Sequence, residues 1–278
     1  MKFLFSFLAS TFLAFTVNAQ GFNLNLFLGA SNYQGDLQDK RFTFNQSHLA
    51  GGVGLSYDLT ERFSLRGGIM FGKVSGDDKE GRNKIRNLNF SSRLTEGHLG
   101  VQYYITPLGQ HSLTPYVFAG LALYHFDPYT HDTAGTKYYL KPLSTEGEGF
   151  VTGKDYYSLT QMAIPFGGGV KLSLSDKINV GLEIGFRKLF TDYLDDVSSV
   201  YVDRNLLLAN RGAKAVELAY RGDEIKSGTF TYPNSGSQRG SPKVKDWYYF
   251  TGLTLSYKLG GGNRRGDKSQ WACPKNVL

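Results

Sequence analysis

The chain has 278 residues, including 34 Gly, 20 Phe and 18 Tyr but only 8 Pro and 1 Cys. A single cysteine excludes a disulfide framework. The net charge of +7 is spread over several segments that also carry acidic residues, and without a basic stripe with interleaved aromatics we exclude nucleic-acid binding. The mean hydropathy of -0.30 is compatible with a membrane barrel, because about half of a barrel's strand residues face a polar lumen.

The N-terminal stretch is typical of a secretory signal. Lys2 supplies the positive start, Phe3–Val17 forms an apolar core, and Val17-Asn18-Ala19 is a small-residue cleavage site. A membrane anchor is the alternative, but this core is short for a spanning helix. We therefore expect residues 1–19 to be a signal peptide and the exported chain to begin at Gln20.

Eight segments of the exported chain have the period-two alternation of β-strands. These segments are Phe22–Ser31, Leu49–Tyr57, Phe63–Phe71, Thr95–Ile105, Tyr116–Phe126, Met162–Leu174, Ile178–Arg187 and Trp247–Leu259. In most of them one face is aliphatic or aromatic and the other is polar or glycine-rich. Tyr116–Phe126 has apolar or small residues on both faces, so its orientation stays open.

Short and long connections alternate along the chain. The short ones are Asp58–Arg62, Thr106–Thr114 and Ser175–Lys177, and the long ones are Tyr33–Gln46, Lys73–Asn87, Asp127–Asp155 and Phe190–Asp246. Outer-membrane barrels have short periplasmic turns and long extracellular loops. The sequence therefore predicts an all-β protein: a closed antiparallel transmembrane β-barrel of about eight strands over residues 20–259, with a periplasmic tail over residues 260–278.

The last strand segment gives the clearest membrane signal. Trp247 and Tyr249 begin its apolar face, Leu253 and Leu255 lie in the middle, and Tyr257 lies near the end. Aromatic residues at both ends of a strand are typical of the two water–lipid interfaces.

A soluble, lipocalin-like barrel is the structural alternative. Periodicity alone does not decide whether the polar faces point inward or outward, but the aromatic strand ends and the alternating connections favour the membrane barrel. In that case Arg66, Glu96, Glu183 and Arg187 lie in the lumen. We expect them to form ion pairs there, because an unpaired buried charge is costly.

Catalytic and metal-binding signals are weak. His98 shares a strand face with Glu96, and His125 lies at a strand end, but no nucleophile elbow or metal-ligand spacing accompanies them. Asp192, Asp195, Asp196 and Asp203 do not match a calcium-loop motif. We expect no enzyme activity, cofactor or metal, although a lipid-modifying enzyme with a triad from distant strands stays an alternative.

The C-terminal tail suggests a docking segment. Arg264 and Arg265 lie in its basic part, and Trp271, Cys273 and Pro274 follow. A lone cysteine in an exported protein indicates a free thiol or an intermolecular bond. We interpret Trp271 as an aromatic anchor and Cys273 as a candidate for a disulfide to a periplasmic partner.

Three stretches resemble a known family. They are Pro115–Gly120, Pro142–Gly149 and Thr191–Ser198, supported by Gly35-Asp36-Leu37 and the Cys273-Pro274 end. They are similar to those of the PorG-like outer-membrane barrels of the type IX protein secretion system of Bacteroidetes. The resemblance implies a non-enzymatic barrel that anchors a periplasmic ring of PorK- and PorN-like proteins, one of them a lipoprotein. It also implies a role in protein transport and, in some members, gliding.

The functional hypothesis from the sequence is therefore an outer-membrane anchor for periplasmic secretion machinery. The short turns and the tail form its expected docking surface. The rivals are the lipid-modifying enzyme and an adhesin-type barrel whose long outer loops bind an external ligand.

Overall fold

The computed structural model describes residues 21–38, 45–81, 83–108, 111–225 and 231–259. These residues contain ten strands: β1 (Phe22–Gln34), β2 (His48–Asp58), β3 (Phe63–Asp77), β4 (Asn89–Tyr104), β5 (Leu113–His125), β6 (Pro128–His131), β7 (Lys137–Tyr139), β8 (Thr160–Ser173), β9 (Ile178–Leu189) and β10 (Trp247–Lys258). Two short helices, α1 (Arg204–Arg211) and α2 (Ala213–Ala219), precede β10. Single 3₁₀ turns occupy Asp78–Glu80, Lys141–Leu143 and Gly222–Glu224.

Eight of these strands form a closed antiparallel barrel. Their order is β3-β2-β1-β10-β9-β8-β5-β4, and the pairing of β3 with β4 closes the circle. The predicted fold class, including the number of barrel strands, is confirmed. Strands β6 and β7 extend the sheet beyond β4 at the end of the barrel where the long connections lie.

The outer wall of the barrel is apolar. Leu49 is 78% exposed, Leu99 68% and Leu28 61%. The residues next to them in the sequence lie on the opposite face of each strand and are buried or half-buried. Aromatic side chains mark both ends of this wall, with the pairs Phe22–Tyr57 and Phe63–Tyr103 near the short turns and Trp247 at the start of β10. So large a contiguous apolar surface is not compatible with water, and the wall is therefore a lipid-facing surface.

The seam between the first and last barrel strands depends on two glycines. Gly29 of β1 and Gly252 of β10 are register partners. A Cβ atom at Gly252 would lie 2.4 Å from the carbonyl oxygen of Leu28 and 2.5 Å from Cα of Gly29. The backbones approach so closely that a side chain at either position would force the two strands apart.

Strand β5, whose orientation the sequence left open, points its aromatic residues inward. Tyr116, Phe118 and Tyr124 are buried in the lumen, while Val117 and Leu123 are exposed on the wall. The two faces therefore differ in side-chain type and not in hydrophobicity, which explains why alternation did not distinguish them.

Several predicted loops are partly strand, and these boundaries are corrected. Lys73–Asn87 is predicted as a long connection, but its first residues continue β3 to Asp77, and Asp78, Arg86 and Asn87 are buried. Tyr33 and Gln34 belong to β1, β4 begins at Asn89, and Asp127–Asp155 contains the β6–β7 hairpin. The strands rise beyond the lipid-facing wall, where the apolar alternation stops.

The long connections fold together over one end of the barrel. We call this region the cap. Its described residues are 35–38, 45–47, 78–81, 83–88, 126–159, 190–225 and 231–246. Within the cap, Asp203 begins α1 by accepting hydrogen bonds from the amides of Asn205 and Leu206, both at 2.9 Å. Leu207 of α1 packs with Val216 and Ala219 of α2 in a small core. The main apolar core runs from the upper lumen into the cap.

Candidate functional site

The lumen near the short turns is closed by a bidentate ion pair. Arg66 of β3 donates from both terminal nitrogens to Glu183 of β9, at 2.8 and 3.0 Å. The hydroxyl of Tyr116 donates to the same carboxylate at 2.7 Å, and the guanidinium carbon of Arg66 lies 4.3 Å from the ring centre of Phe118. The charge of each partner is thus compensated, as burial requires.

A second ion pair with the same design lies nearer the cap. Arg187 of β9 donates to both carboxylate oxygens of Glu96 of β4 at 2.9 Å. Tyr248 donates its hydroxyl to Glu96 at 2.7 Å, and the guanidinium carbon of Arg187 lies 4.5 Å from the ring centre of Phe250. Each pair therefore uses a Tyr-x-Phe segment, in which the tyrosine binds the carboxylate and the phenylalanine packs on the guanidinium.

The two pairs connect strands that are not neighbours in the sheet. β3 and β9 are separated by three strands on either side of the barrel, so Arg66 and Glu183 join opposite walls. A cavity of about 40 Å³ remains beside them, and one water molecule requires about 10–15 Å³. The lumen accommodates a few waters at this level but no passage for a protein.

A column of aromatic rings continues from the second ion pair into the cap. Tyr248 packs on Tyr124 at 5.5 Å, and Tyr124 stacks on Phe126 at 5.5 Å. Phe126 then stacks on Tyr157 at 6.2 Å, and Tyr157 on Tyr193 at 4.8 Å. The rings fill the mouth of the barrel and join the lumen to the cap.

Above this column, the segment Thr191–Ser198 is the centre of the cap. Its Asp195 accepts a hydrogen bond from the hydroxyl of Tyr33. Its Asp196 accepts from Thr145 at 2.6 Å and from Tyr157 at 2.7 Å. The segment thereby binds β1 and the β5–β8 connection through successive carboxylates.

A buried ion pair joins the cap segments from the other side. Arg239 donates to Glu146 at 3.0 Å and to the carbonyl oxygen of Asp196 at 2.6 Å. Glu146 also accepts from the amides of Ser198 and Ser199, at 2.9 and 2.8 Å. Neither Arg239 nor Glu146 has appreciable exposure to solvent.

Stretches that are far apart in the sequence thus meet in one place. Glu146 comes from the Pro142–Gly149 stretch, and Asp196 comes from Thr191–Ser198. Asp36, from the Gly35-Asp36-Leu37 element, accepts from the amide of Ser241 at 2.6 Å, two residues after Arg239 in the chain. Three of the five elements that carry the resemblance therefore contribute residues that hold the cap together.

Burial changes the acidity of the cap carboxyls. Burial, and next the negative charge of Glu148, raise the pKa of the Asp196 carboxyl to about 7. Burial likewise raises the pKa of Asp195 and of Asp246 well above the usual range. These carboxyls therefore hold protons at pH values where exposed aspartates are ionised.

The Asp196 shift predicts that the cap is less stable at higher pH. Because the folded-state pKa is raised from 3.8, the stabilisation is complete below that value and is lost as the pH rises through about 7. We expect the free energy of cap opening to fall by about 2 kcal/mol between about pH 5 and pH 7. Hydrogen exchange of the amides of residues 191–198, followed in detergent micelles at several pH values, measures this free energy of cap opening.

The matched variants for this measurement are Asp196→Asn and Asp155→Asn. Asparagine tolerates the left-handed backbone at position 196, where φ is 64°, and it cannot ionise. We expect Asp196→Asn to have a smaller pH dependence and the exposed Asp155→Asn to behave like the unmodified protein. An unchanged pH dependence in Asp196→Asn would contradict the assignment.

The structure separates the other candidate residues. His98 faces the lumen with Nδ1 3.3 Å from Glu96, whereas His125 is exposed on the outer wall and contacts Thr160 at 2.9 Å. Asp203 caps α1, and its hydrogen bonds are to the first residues of that helix and not to the Asp192–Asp196 segment. Trp271, Cys273, Pro274, Arg264 and Arg265, together with the predicted signal peptide, lie outside the described residues. In the described ranges no group of three or more His, Cys, Asp or Glu side chains is arranged to hold a metal ion.

A family model described as "Domain of unknown function (DUF6089)" matches residues 2–206. The chain belongs to the DUF6089 family. No curated protein matches its sequence significantly. Within the described parts of this DUF6089 protein, no helix combines the length and the apolar character needed to cross a membrane.

Several solved structures are similar to this DUF6089 protein. Neisserial surface protein A (NspA) has a TM-score of 0.43 at 9% identity, covering 87% of this chain and 99% of that chain. Ail of Yersinia pestis has a TM-score of 0.39 at 8% identity, covering 85% and 99%. The outer membrane protein OprG of Pseudomonas aeruginosa has a TM-score of 0.39 at 10% identity, covering 86% and 97%.

Proposed function

We propose that this DUF6089 protein is a non-enzymatic outer-membrane barrel that serves as an anchor and not as a channel. The filled lumen is the observation that carries the proposal. Two cross-lumen ion pairs, an aromatic column and a hydrogen-bonded cap occupy the route along the barrel axis. A barrel closed in this way acts through the surfaces that it holds at the two faces of the membrane.

The short-turn end supports a docking role. The β2–β3 and β4–β5 turns are tied together, because Arg62 donates to the carbonyl oxygen of Ile105 at 2.8 Å and the amide of Leu108 donates to the carbonyl oxygen of Glu61 at 2.9 Å. By the rule for outer-membrane barrels this end faces the periplasm. It would present a fixed surface next to the tail that begins at Gly260.

The finer part of the proposal is a place in the type IX secretion machinery. It rests on the resemblance to PorG-like barrels, with PorK- and PorN-like ring proteins as the partners. Arg264, Arg265, Trp271 and Pro274 would contact the ring, and Cys273 would form an intermolecular disulfide. The barrel would then fix a periplasmic ring to the outer membrane without conducting the exported protein.

The placement of the two histidines argues against a lipid-modifying enzyme. His98 and His125 lie on opposite faces of the barrel wall, and Glu96 beside His98 already binds Arg187 and Tyr248. This arrangement offers no shared substrate position for the two rings. An adhesin role of the cap is the second candidate, and it makes the opposite prediction about which end of the barrel binds a partner.

Deleting residues 260–278 tests the proposal. The deletion retains β10 through Lys258, so we expect the barrel to fold and its periplasmic partner to be lost on affinity purification from detergent. Cys273→Ser should abolish any reducible high-mass band while leaving the non-covalent complex in part. A cap variant, Arg211→Ala, is the matched control and should retain the partner. Retention of all partners after the deletion, with loss in cap variants, would support the adhesin and overturn the anchor.

A further inference from the structure

Two positive charges face each other on the outer wall of the barrel. Lys73 of β3 and Arg93 of β4 are direct register partners, and both belong to the outward-facing series of their strands. Side chains in this relation have Cβ atoms about 4.5–5.5 Å apart, and like charges placed so are destabilising. The sheet therefore maintains a pair of like charges directly opposite each other.

The position of the pair relative to the apolar wall is informative. On β3 the outward residues Ile69 and Phe71 are exposed and apolar, and Lys73 is the next outward residue toward the cap. On β4 Leu99 is part of the wall, and Arg93 lies beyond it on the cap side. The pair thus begins where the lipid-facing surface ends, which is the level of the lipid headgroups.

A third cation extends the pair. Lys137 of the β6–β7 hairpin holds its ammonium nitrogen 3.8 Å from the ring centre of Tyr129, and the ammonium nitrogen of Lys73 lies 5.9 Å from the same ring centre. The hydroxyl of Tyr139 also contacts Lys137, at 2.8 Å. We call Lys73, Arg93 and Lys137 the outer cation cluster.

Carboxylates of the described residues leave Lys73 and Arg93 uncompensated, whereas Asp127 interacts electrostatically with Lys137. Among the described residues, none forms an ion pair with Lys73 or Arg93. Asp127 lies between His125, the register partner of Thr95, and Pro128, the register partner of Ser92. It is therefore close to Arg93 in the sheet, yet its carboxylate makes no ion pair with Arg93. Lys73 and Arg93 therefore offer donors that an external anion can satisfy.

We propose that the outer cation cluster binds the phosphate of a lipid headgroup in the leaflet on the cap side of the membrane. A phosphate accepts hydrogen bonds from both cation types and removes the repulsion between Lys73 and Arg93. A lipid delivers that phosphate at the level where the cluster lies. The inference rests on the membrane placement of the barrel but not on the identity of any periplasmic partner.

Lys188 provides a matched control on another part of the wall. It is an exposed outward lysine of β9, but its register partner is Trp247 and no second cation faces it. Replacing Lys188 with glutamine removes the same charge at the cap side of the wall without touching the cluster. Arg93→Gln and Lys73→Gln each remove one of the two facing cations, whereas Lys188→Gln removes a lysine that faces no other cation.

Native mass spectrometry of the full chain in a neutral detergent tests the proposal, with lipid A and dephosphorylated lipid A as probes. We expect Arg93→Gln and Lys73→Gln each to weaken binding of lipid A about fivefold, and Lys188→Gln to leave it unchanged. The affinity of the unmodified protein for dephosphorylated lipid A should not exceed the affinity of the Arg93→Gln variant for intact lipid A. Equal losses in all three variants, or equal binding of the two probes, would overturn the proposal.

Thermal unfolding gives a second readout whose sign differs with and without lipid. Without lipid, Arg93→Gln should be at least as stable as the unmodified protein, because it removes a repulsion. With lipid A, the unmodified protein should gain more in Tm than the variant. Displacement of lipid A by millimolar inorganic phosphate would assign the cluster to free phosphate instead. Partner recovery from Arg93→Gln should be normal, so failure here is distinguishable from failure of the anchor function.

Discussion

Replacing Arg187 with methionine is expected to lower the free energy of unfolding of the barrel by about 3–5 kcal/mol. The substitution leaves the Glu96 carboxylate in the upper lumen, where Glu96 is fully shielded from solvent. Tyr248 still donates a hydrogen bond to it, but no full positive charge remains in bidentate contact. Urea unfolding in lipid vesicles, followed by intrinsic fluorescence, measures the loss.

Two further variants separate the lost charge from lost packing. The double variant Arg187→Met/Glu96→Leu removes both charges and should recover most of the stability, because a buried ion pair can be replaced by apolar groups at little cost. Lys171→Met removes a lumen lysine that donates to the Tyr104 hydroxyl at 3.2 Å and leaves no carboxylate behind, so its cost should be about 1 kcal/mol. A double variant as unstable as Arg187→Met alone would show that packing, and not the unpaired carboxylate, dominates.

The pairing of these charges also shows how far sequence reasoning reaches. Alternation predicts that Arg66, Glu96, Glu183 and Arg187 share the polar face of their strands. It does not predict which arginine meets which carboxylate, because that depends on strand tilt and stagger around the closed barrel. Nor does it predict that Tyr116 and Tyr248 bind the two carboxylates, because alternation assigns a side chain to a face and not to a hydrogen-bond partner.

The ends of the strands were missed for a different reason. Within the bilayer one face must be apolar and the other polar, so the sequence alternates. Above the bilayer the outward faces of β3 and β4 no longer meet lipid, and stretches such as Asn89–Arg93 and Lys73–Asp77 lose the pattern while the backbone pairing continues. A charged stretch next to a barrel strand is therefore compatible with a strand that has left the membrane.

The cap was the least predictable part, although its residues were noticed. Asp192, Asp195, Asp196 and Asp203 suggest calcium as a group of acidic residues, although their spacing does not match a calcium-loop motif. In the structure each binds protein groups: Asp192 accepts from Ser198 at 2.7 Å, and Asp196 from Thr145 and Tyr157. Thr145 lies 51 residues from Asp196, and Tyr33, the partner of Asp195, lies 162 residues away. No periodic signal connects segments at such distances.

Replacing Arg239 with alanine is expected to open the cap while the barrel stays folded. The guanidinium of Arg239 is the charge partner of Glu146, and it also binds the carbonyl oxygens of Asp196 and Ala219, at 2.6 and 3.3 Å. Its removal leaves the Glu146 carboxylate buried without a counter-charge. We expect the free energy of cap opening to fall by about 3–5 kcal/mol.

The site of the loss distinguishes cap opening from unfolding of the barrel. The barrel ladder of β1, β10 and β9 does not involve Arg239, so its amides should keep their protection from hydrogen exchange, whereas those of residues 191–198 and 239–241 should lose it. Loss of protection in both regions together would show that cap and barrel form one cooperative unit.

Matched variants test whether the unpaired Glu146 carboxylate is the cause. Glu146→Gln in the Arg239→Ala background removes the buried charge but keeps an amide oxygen that can accept from Ser198, so it should recover part of the cap stability. Arg211→Ala removes a half-buried arginine that binds the Ser144 hydroxyl at 3.2 Å and should cost about 1 kcal/mol. Recovery in the double variant would mean that the unpaired Glu146 carboxylate is what opens the cap. A double variant as open as Arg239→Ala would instead place the loss in the carbonyl contacts of Arg239.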